Sequence, residues 1–471
     1  MNRARRPYLL PDPLLCRAEE TAGGLTMTVI DEYVRKHEYR MPRYKYLENL
    51  YKGFHDVYRQ PEKPDWKPDN RLAVNFPKYV TDTFLGFAYG IPIKKSHPDE
   101  TVDAAIKEFE RDNEITDHEY ELAKKCCVYG HAWEYLYQDE NARTKMVACT
   151  PKEVFTVYDD TIQNCALFAV RYGYHENGAT RYGEAMTREE ILVFDNGNIK
   201  ERRQNPYGRI PVVEWQLNTE RIGLYEEAAG LGEAFNHTIG EKANDVDAFA
   251  EAYLAVLGAE LDEDGIYKIR DNRVINLYGT DDAKDILVQF LQKPTADGTQ
   301  ENLLDRLEQL IYRTSMVSDI SDETFGSATS GTALAFKLLP MSNLAAGFDR
   351  KVEKSLRKRY KLFCSLSTNV SDRDAWRDIK IQTSRNLPKN VQEEAQTAAQ
   401  LEGIVSKETQ LSVLSIVSDP RDEIDRMEQE QNRREESVVD RRMFGGVTGG
   451  DDQSGVLETE RGGTTEEKFN E

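Results

Sequence analysis

Cysteine is scarce, and the six present in 471 residues (Cys16, Cys126, Cys127, Cys149, Cys165 and Cys364) include no C-x-x-C pair. The adjacent Cys126 and Cys127 are poorly placed for an ordinary disulfide or a zinc knuckle. Reduced, mostly buried thiols are therefore expected, as in an intracellular protein. Histidine is equally sparse. His37, His55, His97, His118, His131, His175 and His237 offer no i, i+4 pair with a carboxylate between them, which excludes a zincin-type site. No G-x-S-x-G nucleophile elbow occurs. No stretch approaches the roughly 18 apolar residues of a membrane span, and Pro11 and Pro13 interrupt the N-terminal segment that a signal peptide would need. A soluble, cytoplasmic protein is the expectation. Basic residues are in deficit, 62 against 83 acidic ones, for a formal net charge of −21. That balance opposes tight adhesion to nucleic acid, which needs clustered cations. It does not oppose a protein that DNA passes without sticking.

What is present suffices for a core: 39% of residues are apolar and 10% aromatic. The length implies roughly three domains. Residues 1–24 read as a flexible start, and 25–223 as a compact α+β region. Within it, 27–58, the stretch with Val80, Phe84, Phe87 and Ala88, and 101–128 are expected helical. Strands are expected at 131–137, Val154–Tyr158, Ala166–Tyr174 and Ile191–Phe194, with turns at Glu176-Asn177-Gly178 and Asn196-Gly197-Asn198. From Leu224 to Leu257 apolar residues recur on one helix face, weakened by Gly230, Gly232 and Gly240. A small module over 258–298 carries two strand-like runs, Arg273–Leu277 and Ile286–Phe290. Leu303, Leu304, Leu307, Leu310 and Ile311 mark a second helix over 299–318.

The glycine-containing segment 319–331 then reads as a mobile loop. A long helix starts near Ser330, with Leu344, Phe348, Val352, Leu356, Phe363 and Leu366 as its apolar stripe and Pro340 predicting a kink. It opens a region, 332–388, that ends in a strand at 378–382. Shorter helices fill 389–437, and 438–471 has the composition of a disordered acidic tail.

Few candidates for chemistry survive inspection. Gly326-Ser327-Ala328-Thr329-Ser330-Gly331 has the two-glycine spacing of a phosphate-binding loop. However, Thr332 stands where the lysine is needed, Ala333 replaces the magnesium-binding hydroxyl, and a helix rather than a strand precedes the loop. His131 and Glu134 fall on opposite faces of their strand, which favours a structural histidine over a metal ligand. Asp262-Glu263-Asp264-Gly265 lacks the calcium-loop spacing and reads as a solvated turn. No cofactor or metal is expected, and no catalytic residue is assigned. The one basic exception is Arg350, Lys351, Lys354, Arg357, Lys358, Arg359 and Lys361. Such a helix face either touches DNA phosphates or pairs with acidic neighbours, in the same chain or another subunit. The abundance of carboxylates favours pairing.

The order of short motifs resembles the portal proteins of tailed bacteriophages, of the siphophage connector type. It runs Asn75-Phe76-Pro77…Tyr89-Gly90-Ile91-Pro92, then Gly208-Arg209-Ile210-Pro211-Val212-Val213-Glu214-Trp215, then Asn244-Asp245…Phe249-Ala250. Asp319–Gly326, Ser330–Leu334, Lys337-Leu338-Leu339-Pro340, Asn386-Leu387-Pro388 and Ser406–Thr409 continue it, so the resemblance covers residues 30–435.

The resemblance implies an α+β portal fold with an α/β wing, a helical stem, a small α/β clip, a kinked long helix and a helical crown. Carried over, 25–223 and the later part of 332–388 would be wing, 224–257 and 299–318 stem, 258–298 clip, and 389–437 crown. The tunnel loop would present Asp322, Glu323, Thr324, Phe325, Gly326, Ser327, Ala328, Thr329, Ser330 and Gly331 to DNA.

It further implies a non-enzymatic homo-oligomeric ring of about twelve subunits at one capsid vertex of the virion, closed by head-to-tail contacts. The ring would be assembled in the host cytoplasm. Its implied partners are double-stranded DNA passing without sequence specificity, the terminase large subunit, a head-completion adaptor, and the major capsid and scaffold proteins. An adaptor or scaffold, or a packaging ATPase or nuclease, is the alternative. Physically, acidic walls repel phosphate and keep a duplex centred, whereas each retained phosphate contact would act as a brake.

Overall fold

The computed structural model describes residues 13–21, 23–64, 67–176, 178, 180–250, 254–257, 287–290, 297–320, 331–386, 391–414, 416, 417 and 420–444. The chain opens with β1 (Leu14–Cys16), α1 (Ala18–Thr21), α2 (Met27–Glu38) and α3 (Met41–Tyr51). α4 (Phe76–Tyr89), β2 (Lys94–Ser96), α5 (Glu100–Asp112) and α6 (Ile115–Tyr129) follow. Next come β3 (His131–Gln138), β4 (Thr144–Cys149), β5 (Val154–Asp159), β6 (Ala166–Tyr174), β7 (Arg181–Met186), β8 (Glu190–Asp195), β9 (Asn198–Gln204) and β10 (Val212–Gln216). α7 (Ala229–Ala250), β11 (Leu254–Leu257), β12 (Leu287–Phe290), α8 (Asp297–Ser315), α9 (Gly331–Phe363) and β13 (Lys380–Gln382) complete a first unit that ends at Asn386. A second unit from Leu387 holds α10 (Val391–Gln400), α11 (Lys407–Ser412) and α12 (Pro420–Phe444).

Local chemistry sets the boundaries. Asp99 caps α5, its carboxylate accepting from the Thr101 and Val102 amides at 2.8 and 3.1 Å. Asn75 caps α4 in the same way, and Pro77 takes the first turn, where no amide donor is needed. α6 stops on Gly130 at φ +87°, where an added Cβ would lie 2.0 Å from the Arg221 carbonyl oxygen. The β8–β9 hairpin turns on Asn196 and Gly197, both left-handed, as the sequence anticipates.

The six-stranded sheet has the order β1-β5-β6-β7-β8-β9, antiparallel except for the β1–β5 pair. Its inner face packs on α2 through Ile30, Tyr33, Val34, Phe155, Phe168 and Phe194. The three-stranded sheet, β10-β3-β4, meets it through Trp133, Tyr135, Cys149, Val154 and Met186. The largest core joins α3, α4, α6, β3 and β10 to α9, with Trp215, Phe84, Leu356 and Tyr360 fully buried.

Several expectations change. The start is not wholly flexible: Leu14 and Cys16 alternate inward and add a parallel strand beside Val157 and Asp159. The helix expected over 224–257 is shorter. The Leu224 amide bonds back to the Cys127 carbonyl at the α6 end, Gly223 lies close against Val128, and the helix start is delayed; Leu254–Leu257 leave it to pair antiparallel with Leu287–Phe290. A run of β-branched and apolar residues that fits one helix face also fits a buried strand. Arg273–Leu277 and Asp262–Gly265 lie outside the described residues. At the far end α12 continues to Phe444, into the segment assigned to a disordered tail. The spans 27–58 and 101–128 each divide into two helices, at Tyr39-Arg40 and at Asn113-Glu114. Among the described residues no helix is long and apolar enough to cross a membrane.

Candidate functional site

α7 and α8 form a two-helix arm. Phe235 on α7 and Leu304, Leu307 and Ile311 on α8 bury their side chains against each other and against Phe76 and Ala228. The opposite side of α7 is polar, and the stretches 55–63 and 70–74 are fastened along it. Glu233 accepts from the His55 ring at 2.7 Å and from the Asp56 amide at 2.9 Å. Lys63 reaches Glu241 at 2.8 Å, and the Asn70 amide donates to Asn244 at 2.6 Å. Asn236, fully buried, accepts from the Val74 amide at 2.7 Å and donates to the Val74 carbonyl at 3.4 Å. Gly240 has a packing reason, since a Cβ there would stand 3.0 Å from the Asn70 carbonyl oxygen.

The glycine segment begins beyond α8. Asp322, Glu323, Thr324, Phe325, Gly326, Ser327, Ala328, Thr329 and Ser330 lie outside the described residues, and Gly331 is the first residue of α9. Both roots of the segment are tied to the body. The Ser318 hydroxyl donates to the Lys337 carbonyl at 2.9 Å, and Tyr79 on α4 donates to Asp319 at 3.2 Å. Pro340 sits in the third turn of a helix that runs on through it. Lacking an amide proton, it cannot bond the Phe336 carbonyl. The Ser318 bond falls on the next carbonyl, at the same turn.

Beyond Pro340, α9 becomes a spine. Phe348, Val352, Leu356 and Phe363 are buried, as the stripe predicts, and Leu344 is partly so. Polar ties fix it at three levels on that face. Asp349 accepts from Tyr89 on α4 at 3.0 Å, from Thr383 at 2.9 Å, and from Arg385. Ser355 donates to the Glu214 carbonyl of β10 at 2.7 Å. Arg359, fully buried, donates through Nε to both Glu134 oxygens at 2.9 and 3.0 Å and through Nη1 to Glu119. Its guanidinium lies 5.2 Å from the Trp215 ring centroid. Lys95 extends the network to Glu119 at 2.8 Å and Glu110 at 3.3 Å, and Tyr360 donates to Glu110.

Burial alone would raise the Glu134 carboxyl. Arg359 and the His118 ring at 2.8 Å outweigh it and hold the group down at about 2. A parallel cluster sits on the other face of β3. Glu214 takes Arg221 at 2.6 Å, His131 at 3.0 Å and Tyr158 at 2.8 Å, and these partners hold it well below the usual carboxylate range despite burial. His131 and Glu134 thus occupy opposite faces and serve different clusters, so they form no shared site. The sequence alone does not single out the Arg359–Glu134–Glu119 network, although Arg359 lies three residues after Leu356 and four before Phe363, within the apolar stripe.

The basic run therefore divides. Arg359 faces the core, and Arg357 pairs with Glu353 at 2.7 Å. Lys351 donates to Thr219 at 2.7 Å, and Lys361 stands 4.8 Å over the Trp376 ring. Arg350, Lys354 and Lys358 are exposed and have no carboxylate partner among the described residues. Among the described residues no group of three or more histidine, cysteine or acidic side chains is placed to hold a metal ion.

The chain is 23% identical over 416 residues to the portal protein of Bacillus phage SPP1, an alignment that covers 82% of this chain and 81% of the relative. Two solved assemblies share weaker likeness. The neck of an empty GTA particle, computed with C6 symmetry, matches at TM-score 0.44 and 10% identity, covering 73% of this chain and 90% of that one. The neck of a native GTA particle, computed with C12 symmetry, matches at 0.40 and 11% over 72% and 89%. The family described as phage portal protein, SPP1 Gp6-like, matches residues 30–437, and the chain belongs to that family.

Proposed function

We propose that this portal-family chain builds a closed ring of about twelve copies by repeated head-to-tail contact, and that viral double-stranded DNA enters and leaves the capsid through its channel. The portal role follows from the family. The subunit number, the DNA path and the docking of terminase, adaptor, capsid and scaffold proteins are inferences. In this reading the helices and strands from α2 to β10, with the later part of 332–388, are the wing, α7 and α8 the stem, and the β11–β12 module the clip. The region from about 389 is the crown.

The observation that carries the reading is the fastening at the roots of the 321–330 segment. A loop that meets moving DNA must transmit force to a rigid body without unravelling it. Ser318 and Asp319 tie one root to α9 and α4. The other root continues directly into a helix pinned by Asp349, Ser355 and Arg359. Residues Asp322 to Gly331 are proposed as the channel loop, and Pro340 as the point where the helix bends between channel and body. The subunit's part is mechanical: a channel wall for a duplex whose phosphates the chain's net negative charge repels.

Replacing Gly326 and Gly331 with leucine tests the loop. Ring formation by electron microscopy should be unchanged, and the DNA packaged per particle should fall. Normal packaging in that variant would remove the loop from the mechanism.

A further inference from the structure

We propose that the exposed lysines of α9, Lys354 and Lys358, dock on the acidic patch of α8, Asp305 and Glu308, in a second copy of this chain. This rests on the ring reading and specifies which surfaces close it.

Lys354, Lys358 and Lys361 recur at i, i+4 and i+7 along one side of α9. Cations lie among their neighbours, and Glu214 beside Lys358 and Asp374 beside Lys361 oppose them only in part. Surrounding protein atoms first, and Lys354 next to it, push the Lys358 ammonium below its ordinary value. Arg209 and Arg377 act in the same sense on Lys361 after burial. Arg357 takes no part, being matched by Glu353, and Arg359 is spent in the core.

The mirror image stands on α8. Asp305 is exposed and Glu308 half-buried, and neither has a cation partner among the described residues. Burial first, then Asp319 and Asp305, push the Glu308 carboxyl up. Glu301, one turn earlier, is already paired with Lys242.

One chain thus carries two surfaces of opposite sign, Lys354 and Lys358 on one and Asp305 and Glu308 on the other, with no ion-pair partner for these four among the described residues. A two-fold dimer would join like to like or use both surfaces at once. A head-to-tail contact presents the two different surfaces to each other and leaves each free to repeat the contact with the next copy. Side chains three or four apart on a helix stand roughly 5–6 Å apart, so Lys354 and Lys358 can meet Asp305 and Glu308 together. DNA phosphate would answer the lysines only. It would leave the acidic patch unrelieved and would hold the duplex that must slide.

The test uses full-length protein, with ring fraction read by native mass spectrometry and negative-stain microscopy over a concentration and salt series. Lys354→Glu with Lys358→Glu should raise the concentration for half-assembly by at least about tenfold, and Asp305→Lys with Glu308→Lys should do the same. Mixing the two reversed proteins, or combining all four changes in one chain, should restore rings. Circular dichroism and thermal melts confirm that each variant is folded. If a reversed protein is not folded, Lys354→Gln with Lys358→Gln provides the measurement, and a half-assembly concentration equal to wild type would overturn the inference. Rings at wild-type concentration in both reversals would also overturn it, and loss of packaged DNA with intact rings would assign the lysines to phosphate. Failure of the four-fold variant to recover would overturn the pairing. Wild-type protein that never forms rings would instead overturn the ring reading beneath it.

Discussion

Substituting Arg359 with methionine isolates the tie that holds α9 to the body. The side chain is fully buried, and its removal leaves Glu134 and Glu119 without their main cation. The drop of the Glu134 carboxyl from its ordinary 4.5 to about 2 corresponds to roughly 3 kcal/mol of preference for the ionised form. Breaking a buried ion pair from one side independently costs about 3–5 kcal/mol. The two figures agree, so a loss of about 3 kcal/mol is expected, with a Tm lower by about 4 °C for a unit of this size.

Because Glu134 is depressed in the folded state, its contribution is complete above about pH 4.5 and is lost as pH falls toward 2. The gap between wild type and variant should therefore narrow as pH falls below 4.5. Urea unfolding followed by tryptophan fluorescence suits the question, since Trp215 is buried beside Arg359. Adding Glu134→Gln should recover part of the loss, because the uncompensated charge disappears. An unchanged midpoint, or a gap that stays constant across that pH range, would refute the reasoning.

Other outcomes follow from single positions. Gly130→Ala places a Cβ against the Arg221 backbone at a φ of +87°, and should cost about 2 kcal/mol or more in urea unfolding. Asn236→Leu leaves the Val74 amide unpaired, while the Val74 carbonyl keeps the Phe76 amide at 3.1 Å, and should speed hydrogen exchange across 70–75 with about 1–3 kcal/mol of lost stability. Asp349→Ala releases Tyr89, Thr383 and Arg385 together, and should raise exchange through the middle turns of α9 more than through α2.

Legibility from sequence varied with the physics of each element. Strands at 154–158 and 166–174 and the Asn196-Gly197 turn were readable because alternation and left-handed turn chemistry are local signals. The apolar stripe of α9 was readable because 3.6-residue periodicity over many turns is hard to imitate. β11 was not, since Leu254–Leu257 continues the helical pattern and only the pairing with Leu287–Phe290 decides its state. β1 was hidden for the same reason: three residues become a strand only beside β5. The strap along α7 was out of reach because Asn236 and Gly240 look unfavourable in a helix until their partners, some 160 residues away in sequence, are in place. The basic run was visible as a group, but its division between core, neighbour-paired and free cations depends on tertiary packing.

This chain is expected to close into a ring around a channel. Negative-stain or cryo-electron microscopy of the purified full-length protein tests it most directly. Closed rings with a central hole wide enough for a duplex, about 20 Å or more, are the expected result. Compact monomers persisting at high concentration, or rings whose centre is filled by protein, would contradict it.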